Sequence, residues 1–232
     1  MSVLTEGTSA VGAPTTERVR RHLLIDRIYH WAMAAAVFTL IYSAFWPTIF
    51  QGRDLVISDL HWIAGVVLVA LVLFHIVRAI FWQNWRYMMP DRIDAENVGR
   101  VIAKRTGRGG PAPRKAGKYN GLQKLYHLGA AAVLLVVLGT GGLLLFKIGT
   151  PSSIPMTLIP KNPYFLADPT WDIVYALHGL AAAAVVGLVI IHMYFAIRPD
   201  EWHLTRSMFR GWISRKEYEG HHDPVRWPAK RQ

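Results

Sequence analysis

Six histidines lie inside or at the edge of long apolar blocks: His30, His61, His75, His127, His178 and His192. An ionisable side chain at such depth is costly, faces a bundle interior and is a functional candidate by default. Each one alone reads equally well as a hydrogen-bonded structural residue; the set carries more. His178 and His192 are 192 − 178 = 14 residues apart, and His61 and His75 are 75 − 61 = 14 apart. At 3.6 residues per turn that is nearly four turns, so each pair shares a helix face with its rings about 21 Å apart along the axis. Imidazole is a standard axial ligand of haem iron, and an iron in a porphyrin has two axial positions. His61 and His178 stand at one level and make a first pair. His192 stands at the other level, where His30, His75 and His127 compete as partner; spacing alone leans to His75. Small residues follow the first pair, at Ala64 and Gly65 and at Gly179 and Ala181–Ala184. They would let a flat macrocycle approach the backbone, or would serve ordinary close packing of helices.

The elements that must position these rings are four apolar blocks, at about 28–50, 60–81, 125–146 and 173–197. Crossing a hydrocarbon core of about 30 Å takes about 20 helical residues. The blocks lack the period-2 alternation of barrel strands, so helices are the spanning elements. The basic run ahead of the first block resembles the start of a signal peptide. The block is too long for one and no small-residue cleavage site follows, so it reads as a retained helix. There is no cysteine, which excludes disulfides, cysteine-held iron–sulfur clusters and thioether-linked haem within this chain.

The formal charge of +11 is distributed by loop. Arg18, Arg20, Arg21 and Arg27 surround the start of the first block; Lys and Arg crowd the connection at about 83–120 and the tail from 201 to 232. The two opposite loops hold only Arg53, Lys147 and Lys161. By the positive-inside rule both termini and the middle connection are cytoplasmic. This charge is topology and attraction to anionic lipid, and it argues against a nucleic-acid partner. The expected organisation is a cytoplasmic N-terminal segment (1–24), a four-helix domain (25–200) and a basic cytoplasmic tail (201–232). Within the middle connection, 91–104 can form a surface helix and 106–118 is irregular. The outer loop carries Pro151, Pro155, Pro160, Pro163 and Pro169, and its Tyr164, Phe165 and Trp171 suit a membrane interface.

Four stretches carry a family resemblance. Ile25-Asp26-Arg27-Ile28-Tyr29-His30-Trp31 is similar to the opening of helix 1 in the membrane cytochrome b (gamma) subunits of respiratory formate dehydrogenases. Gly117-Lys118-Tyr119-Asn120-Gly121-Leu122-Gln123-Lys124 resembles their run before helix 3. Val189-Ile190-Ile191-His192-Met193-Tyr194 resembles the end of helix 4, and His221-His222-Asp223-Pro224-Val225-Arg226-Trp227 a stretch of the tail. The wider family holds the b561-type cytochromes of nickel–iron hydrogenases and thiosulfate reductase. The resemblance implies an all-α bundle with two haems b, the outer held by His61 and His178 and the inner by His30 and His192. It also implies a quinone site at Asn120 and Gln123, whose amide side chains suit a quinone carbonyl; capping of the helix is their other role. His75 and His127 stand where other residue types are common; a propionate contact, a proton path or packing would each suit them.

The function so implied is that of a bacterial inner-membrane subunit. It takes electrons from an iron–sulfur subunit of a complex with a large catalytic subunit, most like formate dehydrogenase, and delivers them to quinone. A hydrogenase or other molybdoenzyme complex, or a free-standing b561-type cytochrome, would use the same chemistry. A haem-free anchor, or a transporter whose histidines carry protons, is the reading from another class. No site for formate, hydrogen or a sulfur compound is expected in this chain.

Overall fold

The computed structural model describes residues 17–52, 54–150 and 159–228. Arg53, Pro151, Pro155 and the outer parts of the N-terminal segment and tail lie outside the described residues. Four helices are long and apolar enough to cross a membrane: α1 (Leu24–Phe50), α2 (Leu55–Phe81), α4 (Gly121–Ile148) and α5 (Asp168–Ile197). The described residues also form three shorter α-helices, α3 (Arg92–Arg105), α6 (Trp202–Arg210) and α7 (Arg215–His221), two 3-10 turns and two strands, β1 (Arg18–Arg20) and β2 (Trp212–Ser214). The spanning helices run 27 to 30 residues. At 1.5 Å rise they measure roughly 40–45 Å, enough to enter both headgroup layers.

Each spanning helix begins four or five residues before its apolar block. Asp54 caps α2 by accepting from Val56 N at 2.8 Å. Asn120 accepts from Gln123 N at 2.8 Å, and Gln123 Oε1 accepts from Asn120 N at 3.0 Å, a reciprocal capping box on α4. Asp168 and Pro169 open α5.

The helices pair as two hairpins. α1 packs along α2 and α4 along α5, and the principal contact between the hairpins is α2 against α4. Large apolar side chains such as Phe81, Leu135, Leu180 and Ile190 remain exposed, as lipid-facing positions must. On one face of the bundle, β1 and β2 pair antiparallel, bringing the start of the chain to its tail. Val19, Ile213, Tyr218 and Trp227 form a small core there. On the opposite face Trp171 is fully buried against Leu144 and Val174, and its Nε1 donates to Pro163 O at 3.0 Å. The expected interface aromatic is therefore a plug that fixes the outer loop; Tyr164, 92% exposed, and Phe165 keep the peripheral position.

Candidate cofactor-binding seam

The seam between the hairpins is lined by the histidines. At one end stand His61 of α2, held at Nδ1 by Ser43 of α1, and His178 of α5, held at Nδ1 by Thr140 of α4. At the other, His30 of α1 faces His192 of α5 with ring centres 6.1 Å apart. Two imidazoles on opposite sides of one metal ion, each bonded at about 2.0 Å, have ring centres about 6.2 Å apart. That donor set and spacing fit a six-coordinate iron with two axial imidazoles.

His75, the alternative partner for His192, is placed elsewhere. Its ring stacks on Tyr29 (5.1 Å, 11°) and meets His127 at 5.9 Å. That spacing alone also suits a metal, but His75 and His127 join α2 to α4, the helices in direct contact between the hairpins. A porphyrin needs its flanking helices apart, and α1 and α5 are not among the helices that pack extensively on one another. His127 Nδ1 is buried without a hydrogen-bond partner. Salt-bridged Asp26 and Arg78 (2.7 Å) tie α1 to α2 at this end, with Gln83 Nε2 donating to the same carboxylate at 3.0 Å.

The small residues divide by position. A Cβ at Gly179 would meet nothing within 4 Å, and one at Gly65 would reach only Leu40 Cδ2 at 4.0 Å. Close helix packing therefore does not demand these glycines. Gly141 is different: a Cβ there would stand 3.2 Å from His178 Cε1, so glycine admits the ring.

Two residues of the seam were missed from sequence. Ser43 Oγ lies 2.9 Å from His61 Nδ1, and Thr140 Oγ1 lies 3.0 Å from His178 Nδ1. Their signal was a lone hydroxyl inside an apolar block, which is common because a helical Ser or Thr can satisfy itself on the carbonyl four residues back. Tyr126 was missed as well; it stacks beside His192 at 5.8 Å and donates to Leu188 O at 3.1 Å.

Asn120 and Gln123 use their side-chain oxygens in the capping box, so their NH2 groups are the donors left to meet a carbonyl. The loop that delivers them is held by the tail. His222 Nδ1 lies 2.6 Å from Gly117 O; a carbonyl only accepts, so Nδ1 carries the proton and Nε2 accepts from Arg21 Nη1 at 3.1 Å. Arg21 Nη2 donates to Lys118 O at 2.7 Å. Arg226 bonds Asp91 at 2.7 Å and Asp94 at 3.0 Å, and Lys124 bonds Asp94 at 2.6 Å. The stretches at 117–124 and 221–227 are thus one assembly.

Burial, and then the Arg21 guanidinium, push the His222 pKa from 6.5 down to about 4. The unfolded residue takes up its proton near pH 6.5, whereas the folded one resists until about 4. Its stabilising contribution is therefore complete above 6.5 and lost as pH falls through about 4. Amide exchange at Val19 and Ile213 should accelerate over that interval, and His222→Gln should flatten the profile; an unchanged profile would remove His222 from this role.

Four spanning helices around a histidine-lined seam suit a transmembrane b-type cytochrome, and residues 21–211 match the family described as prokaryotic cytochrome b561. The chain belongs to that family, whose members are haem b proteins of the bacterial inner membrane, crossed here by multiple helices. It is similar to the cytochrome b556(fdo) subunit of formate dehydrogenase from Escherichia coli K12, with 25% identity over 224 residues covering 91% of this chain and 92% of the relative. The corresponding subunits of the O6:H1 and O157:H7 strains match equally.

Proposed function

We propose that the chain is the dihaem membrane subunit of a respiratory oxidoreductase complex, carrying electrons from an outer-side iron–sulfur subunit to quinone. His61 and His178 hold one haem near the outer face, and His30 and His192 hold the second near the cytoplasmic face. Each haem, when bound, supplies a one-electron iron couple; the protein sets its place and environment. The observation that carries the reading is the 6.1 Å ring separation of His30 on α1 and His192 on α5. The relatives' role in formate dehydrogenase favours a formate-oxidising catalytic subunit as the ultimate donor.

Sidedness follows from charge. The face that gathers β1, α3, α6 and α7 carries most of the Lys and Arg, so it is cytoplasmic. Electron movement inward against a membrane potential stores about 2.3 kcal/mol per 100 mV. Asn120 and Gln123 stand at this face, where their amide NH2 groups bind a quinone carbonyl and protons are drawn from the cytoplasm.

Asn120→Ser separates the two roles of that residue, since serine still caps α4 but has no amide donor. The expected result is slowed quinone reduction with unchanged haem content and thermal stability. Unchanged quinone kinetics would move the quinone site away from Asn120.

A further inference from the structure

Ser43 and Thr140 are 4% and 8% exposed within the spanning helices α1 and α4. A hydroxyl has one proton, and here its destination is settled by carbonyl groups. Ser43 Oγ lies 2.7 Å from Thr39 O and 3.1 Å from Leu40 O; Thr140 Oγ1 lies 2.7 Å from Val136 O and 3.2 Å from Val137 O. Carbonyl oxygens only accept, so each hydroxyl donates there. Towards the imidazole the same oxygen must accept, and Nδ1–H must donate. Both rings are thereby fixed in one tautomer, with the lone pair on Nε2.

The device occurs once in each hairpin: α2 supplies His61 and its neighbour α1 the hydroxyl, while α5 supplies His178 and α4 the hydroxyl. His30 and His192 have no such partner: among the described residues, none hydrogen-bonds to either ring. A hydrogen bond from Nδ1–H to an acceptor raises the basicity of the ligating nitrogen. A more basic ligand favours ferric over ferrous iron, and such hydrogen bonding is one of the protein's levers on haem potential.

We propose that Ser43 and Thr140 are positioning residues that fix the tautomers of His61 and His178 and lower the outer haem's reduction potential. These hydrogen bonds thereby favour electron flow from outer to inner face. The inference rests on the dihaem reading above.

The test is an optical redox titration of the haem-loaded full chain carrying Ser43→Ala or Thr140→Val. The outer component is identified as the one that His61→Ala removes. Its midpoint should rise in both variants, by about 59 mV if each hydrogen bond is worth tenfold in the ferric–ferrous equilibrium. The inner component should stay in place, and Ser43→Thr and Thr140→Ser should keep the native value. Unmoved midpoints in both variants, a shift confined to the inner component, or a shift equally large in the conservative variants would overturn the proposal. If His61→Ala retains both haems, the dihaem reading itself has failed, an outcome distinct from these.

Discussion

Replacing His61 or His178 with alanine is expected to reduce the haem content from two per chain to one, with the inner haem retained. Under the proposed assignment each substitution would remove one of the two imidazoles that would hold that haem, leaving its partner facing a gap that a methyl group cannot fill. His30→Ala and His192→Ala should each remove the other haem. The contrast lies in His75→Ala: its ring stacks on Tyr29 and meets His127, so both haems should survive its loss. Haem per chain, measured by extraction, and the reduced spectrum read all five variants. Two haems in His30→Ala together with one in His75→Ala would reassign the inner site to the α2–α4 contact.

The second large effect is expected at Asp94. Its carboxylate is 3% exposed, receives Lys124 and Arg226, and accepts from Asp91 N at 3.1 Å within the α3 capping box. Burial alone would raise its pKa, but the hydrogen bonds from Lys124 and Arg226 outweigh burial and hold it below the usual carboxylate value. Lys124 is 5% exposed, so Asp94→Ala strands a buried ammonium at the first turn of α4. Breaking a buried pair from one side costs about 3–5 kcal/mol. The expected result is a loss of thermal stability of that order, with quinone reduction impaired because Asn120 is carried by the same turn, and with haem content preserved. Asp94→Leu combined with Lys124→Met should recover much of the stability, since an apolar pair leaves no stranded charge. If the single variant melts like the parent, the network is not holding the loop.

The four spanning helices were legible because lipid demands long apolar runs and composition records them directly. Their starts were not, since the caps Asp54 and Asn120 and the first-turn Asp168 are polar residues that hydropathy assigns to loops. The choice between His30 and His75 was hidden for a different reason. Both α2 and α5 repeat histidine at the same 14-residue interval. What turns His75 towards His127 and brings His30 to His192 is how the hairpins meet, a tertiary property. The β1–β2 pair joins distant parts of the sequence through three-residue strands, too short to show a period. Ser43 and Thr140 were visible as polar interruptions, yet a hydroxyl that can bond its own helix announces no partner. Asn120 and Gln123 were read with both roles open; capping is the one their oxygens perform, which restricts any quinone contact to the amide NH2 groups.

The central claim is best tested by the absorption spectrum of the purified chain, read together with haem per chain by extraction. The account predicts a reduced b-type α-band and two haems for each polypeptide. A preparation that is folded and assembled but shows no such band, or holds a single haem, would contradict it.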